Sequence, residues 1–365
     1  MYNIFIYSVI AFSVIVFLFV LILDTSSILR IDNEKKDYSE YKGKVLVIVP
    51  CRGKDLTLYD NLLSIKKQKY TNYEVVAVVD TETDPALKSI NDAKIKYIIA
   101  NSKEHGSGKV KAIATAIKRF QKYDAYVIAD SDVLFDKQWL SELIKPLSDK
   151  KNGLSTMYPF FKPTNNGFWA YMKMVWGFVG DSLLENEKRR FGWGGSLAFR
   201  KDLIDEKSLK FFTTSRYSVS DDISLTKIAK NKNLKIAYVK EPKPIVNCKE
   251  TFGSFFEWAN RQTALTALGY KKSIYQGLIY YTSEILLFVF GVLFSIFVSP
   301  IFVIYFIHLL KSIIVTLKRS KSKRPIIVIA VVFAPFIYEI NLIIAIKIKS
   351  IQWRGKTYEL GSYIK

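Results

Sequence analysis

Apolar sequence is concentrated at the two ends of this chain, and that distribution constrains its fold more than any motif does. Residues 2–23 (YNIFIYSVIAFSVIVFLFVLIL) carry no charge, and a membrane-spanning helix needs about 20 predominantly apolar residues. Residues 277–298 form a second run, Ser299-Pro300 interrupts it, and residues 301–317 form a third. After the basic loop KRSKSKR at 318–324, residues 325–346 form a fourth. These runs predict an N-terminal transmembrane anchor over 1–24, membrane helices over 277–347 and a basic tail at 348–365. A cleaved signal peptide would carry basic residues before a shorter apolar run and end on a small-residue cleavage site. Here the basic residues follow the run, at Arg30, Lys35, Lys36, Lys42 and Lys44, which favours a retained anchor.

Lys and Arg flanking a span tend to stay in the cytoplasm. Residue 30 onward and the loop at 318–324 are therefore expected there, with the second and third runs forming a hairpin. The fourth run would carry the tail (QWRGKTYELGSYIK) outward, yet that tail is itself basic. A re-entrant or interfacial last segment removes the conflict. His308 and Lys311 fall inside a span, where Lys311 can snorkel to the cytoplasmic face. The chain as a whole has 54 basic and 33 acidic residues, a formal charge of +21. Cations near the cytoplasmic face can attract anionic membrane lipids, at about 1 kcal/mol each. The anchor and the even spread of charge argue against nucleic acid as a partner.

Residues 40–270 read as one cytoplasmic domain. KVLVIVP (44–50), YEVVAVVD (73–80), IKYIIA (95–100) and DAYVIADSD (124–132) are β-rich runs. Between them, Leu56, Tyr59, Leu62, Leu63 and Ile65, and then Val110, Ile113, Ile117 and Phe120, follow helical spacing. Continuous apolar strands alternating with helices predict an α/β domain with a mostly parallel sheet covered on both faces. Such sheets bind ligands beyond the carboxyl ends of their strands. Asp80 closes the second strand, and Asp130 and Asp132 close the fourth.

Two Cys (Cys51, Cys248) and two His (His105, His308) are too few for a disulfide scaffold or a Cys- or His-rich metal site. A metal would be held by carboxylates, which selects Mg²⁺ or Mn²⁺. The DSD at 130–132 can place two carboxylates on such an ion. About one D-x-D is expected by chance in a chain of this composition, so its place at a strand end carries the weight. GSGKVKAI at 106–113 can present a helix N-terminus and Lys109 to a diphosphate. It is not a Walker A loop, because Val110 follows the lysine. Gly194 and Gly195 in FGWGGSLAFRKD (191–202) permit close backbone approach to a ligand, or a tight turn before a strand. In SVSDDISL (218–225), Asp221 or Asp222 can cap the next helix, which leaves the other carboxylate for acid–base work. TFGSFFEWANRQTAL (251–265) predicts an amphipathic helix with Trp258 and Arg261 on one face, which can lie on the membrane, cover a phosphate or simply pack.

In order and spacing, these segments resemble the family 2 glycosyltransferases of GT-A fold. The anchor, the C-terminal membrane block and the WRG tail look most like the ceramide glucosyltransferase-like branch. The resemblance implies a Rossmann-like GT-A domain that uses a nucleotide sugar with Mg²⁺ or Mn²⁺. It implies that Pro50 and Arg52 lie beside the nucleotide and that Asp80 contacts base or ribose. Lys109, Asp130 and Gly195 would join the nucleotide-sugar site. Asp130 and Asp132 would hold the metal on the diphosphate, Asp222 would be the general base, and Arg261 would be the Arg of a Q/R-x-x-R-W motif. That motif departs here: Trp258 stands for Gln/Arg and Gln262 for Trp, which argues against a long-chain polymer as product.

The expected function is inverting transfer of a sugar, from a UDP-sugar, to a lipid acceptor, with a polyprenyl phosphate as the competing acceptor. A nucleotidyltransferase acting on a phospholipid precursor would want the same carboxylates. A membrane-anchored binding module is the third reading, against which the full acid set argues.

Overall fold

Strands buried on both faces need no alternation of polar and apolar residues, and the runs read above become the middle of one seven-stranded sheet. Its order is Lys96–Ile99, Tyr73–Val79, Val45–Pro50, Ala125–Ala129, Ser196–Arg200, Asn152–Thr156, Lys235–Tyr238. The first four strands pair in parallel. Ser196–Arg200 runs antiparallel to both its neighbours, so the sheet is mixed but mostly parallel. In this computed structural model residues 2–29, 37–55 and 57–361 are described. Arg30, Lys35, Lys36 and Leu56, used above, lie outside them.

Two compact units interleave along the chain. The sheet unit comprises Asn33–Lys162, Gly180–Asn247 and Lys349–Lys365. Its core joins Leu46, Ile48, Val76, Val78 and Ile128 of the strands to Ile113 and Ile117 of helix Gly108–Arg119 and to Leu225 and Ile228 of helix Asp221–Asn231.

The tail also belongs to this unit. Ser350–Trp353 and Lys356–Glu359 form an antiparallel hairpin with Ile351, 5% exposed, as its anchor. Arg354 (φ +47°) and Gly355 (φ +73°) make the two-residue turn, the primed geometry that suits the twist of paired strands. A left-handed conformation costs a non-glycine residue about 1–2 kcal/mol. The hairpin bonds to the sheet unit, so the tail does not lie across a bilayer from that domain, as an outward-pointing last span would put it.

The helical unit comprises Met1–Asp32, Pro163–Val179 and Cys248–Ile348. Segments 163–179 and 248–270, inside the expected soluble range, thus pack with the apolar helices. Among the described residues four helices are long and apolar enough to cross a membrane: Ile6–Ser26, Lys271–Phe297, Pro300–Ser320 and Pro325–Lys347. The Ser299-Pro300 break begins a 3₁₀ stretch, Pro300–Phe306, capped by the Ser299 side chain. The Lys311 ammonium pairs with Asp24 at 3.1 Å, and the Tyr280 hydroxyl donates to the same Asp24 oxygen at 3.0 Å. A charge inside an apolar bundle is costly unless paired. His308 Nδ1 lies 2.6 Å from the Tyr305 carbonyl oxygen.

Candidate active site

Register brings the acids to one edge of the sheet. Pro50 pairs with Val78 and Ile48 with Ile128, so the loop after Pro50, Asp80 and Asp130 all leave from the carboxyl ends of adjacent parallel strands. Ser196–Arg200 runs the other way, and Ser196 sits opposite Ala129. The residues just before that strand, Gly194 and Gly195, therefore arrive at the same edge, and the Asp130 N–H donates to the Gly195 carbonyl at 3.2 Å.

Lys109 ties two of these segments together. Ser107 caps its helix by accepting from the Val110 N–H. Gly106 (φ +95°) lets the chain turn where a Cβ would meet the Ser218 carbonyl at 2.8 Å. The Lys109 ammonium is 2.6 Å from Asp130 Oδ1 and 3.3 Å from Asp221 Oδ2. The first contact is a strong charge-assisted bond. The second is an ion pair without hydrogen-bond geometry. Burial disfavours the charge on Lys109, but Asp130 and Asp221 outweigh it and hold the ammonium above the usual lysine range. For Asp221, 4% exposed, burial wins over the attraction of Lys109 and pushes the carboxyl up to about 7. Gly194 makes room for the pair, since a Cβ there would fall 2.4 Å from Asp221 Oδ2 and 2.9 Å from Lys109 Nζ. At Gly195 the space is filled by the Trp193 ring.

The helix Asp221–Asn231 is capped by Ser220, whose hydroxyl oxygen accepts from the Ile223 N–H. Neither aspartate is the N-cap: Asp221 is drawn inward to Lys109, and Asp222 takes the second position of the first turn. Asp222 Oδ1 accepts from the Ser220 hydroxyl and, at 2.7 Å, from the Ile223 N–H. Its other oxygen has no bonded partner among the described residues.

Asp80 Oδ2 is 3.4 Å from Arg52 Nη1 and 3.0 Å from Lys356 Nζ. Arg354 donates to the Arg52 carbonyl and, at 2.8 Å, to Asp55 Oδ1. Asp55 Oδ2 in turn accepts from the Ser131 hydroxyl at 2.5 Å, at the centre of the DSD turn. Asn61 holds the same turn by donating to the Ser131 carbonyl at 2.9 Å. The Gly108 N–H, first in its helix, donates to the Tyr358 hydroxyl at 3.2 Å. Burial pushes the neighbouring Cys51 thiol up to about 12, which removes it as a nucleophile.

Asp130 and the exposed Asp132 offer oxygen donors only, the chemistry of a hard divalent cation. Among the described residues no three His, Cys, Asp or Glu side chains are arranged to hold a metal ion. A cation held by these two carboxylates would take its remaining ligands from phosphate oxygens and water.

Arg261 lies in the other unit, on helix Phe252–Gly269, with Glu257 at 4.0 Å. On the same helix Trp258 is a packing residue: its ring is 4.9 Å from that of Trp176, and Lys173 Nζ sits 4.6 Å over it. Asp55, Ser131, Arg354, Lys356 and Tyr358 were missed in the sequence. Their only signal was a concentration of polar residues beside motifs already noted and, in the tail, basic charge.

This arrangement is the GT-A architecture of glycosyltransferases that use nucleotide sugars. The fold is shared with mannosyltransferase PcManGT from Pyrobaculum calidifontis, solved in complex with GDP-Man and Mn²⁺, at TM-score 0.56 and 15% identity over 93% of this chain and 96% of that one. Glucosyl-3-phosphoglycerate synthase of Mycobacterium tuberculosis overlaps at TM-score 0.43 and 15% identity, over 62% of this chain and 80% of that one. The chain belongs to glycosyl transferase family 21, whose sequence model matches residues 6–363. Membership of a glycosyltransferase family favours the glycosyltransferase reading over the nucleotidyltransferase and binding-module ones. Ceramide glucosyltransferase 3 of Caenorhabditis elegans is 24% identical over 155 residues, 40% of this chain and 34% of the relative. The match thus spans about a third of that enzyme's length.

Proposed function

We propose that this chain is an inverting, membrane-bound glycosyltransferase that moves a sugar from a UDP-sugar to a lipid acceptor, with its sheet domain in the cytoplasm. The observation that carries the reading is the Lys109 bridge. One ammonium joins the D-x-D turn at Asp130 to the Asp221-Asp222 helix start, so leaving-group and acceptor chemistry share one edge of the sheet. Four membrane-length helices and the family relative named for ceramide support a lipid acceptor.

Displacing a nucleoside diphosphate from a sugar requires a neutralised leaving group, a deprotonated acceptor and alignment of the two. Asp130 and Asp132 would hold Mg²⁺ or Mn²⁺, which when bound supplies positive charge to the diphosphate. Pro50, Arg52, Asp80 and Gly195 line the nucleotide-sugar side. Lys109 holds Asp130 in place and offsets its charge. Asp222 is the general base: one oxygen is fixed by Ser220 and Ile223, and the other is left to take the acceptor hydroxyl's proton. Asp221, buried against Lys109, positions the helix start. Arg261 is a catalytic candidate by its match to the family motif alone. Attack by the hydroxyl opposite the departing diphosphate inverts the anomeric centre.

The test is to incubate membranes containing the full chain with radiolabelled nucleotide sugars and extract the lipids. Label from a UDP-sugar should enter a neutral lipid. Asp222→Asn should lower turnover about 10²–10⁴-fold while donor affinity stays within a few-fold. Full activity in that variant removes Asp222 from the mechanism, and label confined to a polyprenyl-phosphate fraction replaces the acceptor.

A further inference from the structure

The C-terminal hairpin is built in an unusual way for a two-residue turn. Asn, Asp or Gly is the usual first residue of such a turn. Here Arg354 adopts that left-handed backbone, and strain of this kind persists where the side chain has a task. The guanidinium reaches back to the Arg52 carbonyl and to Asp55. Strand periodicity puts Lys356 and Tyr358 on one face of the hairpin, and they reach Asp80 and the Gly108 N–H. Three hairpin side chains thus touch three separate pieces of the rim: the loop after the first strand, the end of the second strand and the N-terminus of the Lys109 helix. A Cβ added at Gly108 would lie 3.7 Å from the Tyr358 hydroxyl and 3.8 Å from both Asp80 carboxylate oxygens, so these pieces close on one spot.

We propose that this hairpin is a wall of the donor site and that Arg354 and Lys356 bind the diphosphate of the nucleotide donor. The proposal rests on the donor-site reading above. Even with a cation held by Asp130 and Asp132, Asp55 and Asp80 add negative charge to the rim beside an anionic diphosphate, and Arg354 and Lys356 are side chains that pair with them. The carboxylate pairs that Arg354 and Lys356 now make are partly exposed, with 35% and 48% of the cationic side chains accessible. Pairs of that kind are weak, so exchanging a carboxylate for phosphate oxygens is easy. A guanidinium also matches phosphate with two parallel N–H donors. Burial disfavours the Arg354 charge, but Asp55 and then Asp132 outweigh it, which puts the guanidinium within the field of the D-x-D turn.

The test uses the full chain in detergent micelles. Binding of UDP and GDP, with Mn²⁺, is compared with that of uridine and guanosine measured by competition. Arg354→Ala and Lys356→Gln should each weaken the nucleoside diphosphate by about ten- to a hundredfold and leave the nucleoside unchanged. An unchanged diphosphate-to-nucleoside ratio in both variants overturns the proposal, and so does tighter binding, which would make the hairpin a competitor of the donor. If Arg354→Ala loosens the turn and weakens both ligands alike, Lys356→Gln, which leaves the turn intact, decides by the same ratio. Wild-type protein that binds neither diphosphate removes the donor site itself, a failure seen before any variant is made.

Discussion

Replacing Lys109 by Met tests the centre of the site most directly. The substitution keeps length and apolar volume and deletes the charge. The ammonium is 10% exposed, and it sits 2.6 Å from Asp130 and 3.3 Å from Asp221. At an effective dielectric of about 20 these attractions are each roughly 5–6 kcal/mol before desolvation is subtracted. Removing one partner of a buried charge group costs about 3–5 kcal/mol net, because the remaining carboxylates are left uncompensated. For a domain of this size that lowers Tm by roughly 6–20 °C. The loss should depend on pH with a definite sign. The native Asp221 carboxyl, pushed up to about 7, stands above its unfolded value, so the folded state binds its proton preferentially. Its contribution to stability therefore falls as pH rises from the unfolded value through about 7. Without Lys109 that window moves further up, so the variant should be hurt more near pH 8 than near pH 6. Thermal unfolding of the full chain in detergent, followed by circular dichroism at both pH values, reads the effect. A drop under about 3 °C, or an equal drop at both pH values, refutes the reasoning.

Two further substitutions probe the same edge. Asp132→Ala should abolish the Mn²⁺-linked part of donor affinity, and EDTA should stop turnover of the wild type; unchanged Mn²⁺ linkage in the variant, or activity indifferent to EDTA, refutes the metal assignment. Gly194→Ala places a methyl against Asp221 and Lys109 and should cost about 1–3 kcal/mol of stability, read as a lower Tm, with wild-type stability refuting the tight approach.

How much of this could be read from the sequence depended on the range of the interaction. Val45–Pro50, Tyr73–Val79 and Ala125–Ala129 were legible because burial on both faces writes an uninterrupted apolar run. Asp80 and Asp130 were legible because a strand end in a parallel sheet is already a functional address. The direction of the strand Ser196–Arg200 was not, since a buried strand reads the same either way. Ser220, Asp221 and Asp222 are all good caps by residue type, and only the tertiary pull of Lys109 on Asp221 decides among them. The Lys311–Asp24 pair and the Arg354–Asp55 pair join residues from opposite ends of the chain, and no local pattern announces them. An Arg-Gly turn in particular lacks the Asn-Gly or Asp-Gly signature by which a hairpin is usually recognised.

The hairpin also sets a rule of parity for the membrane. A chain that leaves a bilayer on the side where it entered has traversed it an even number of times. The sheet unit holds both Asn247 and Lys349, and three membrane-length helices, Lys271–Phe297, Pro300–Ser320 and Pro325–Lys347, lie between them. Three is odd, so with the sheet unit on one face of the bilayer they cannot all traverse, and at least one would dip in and return or rest along the surface.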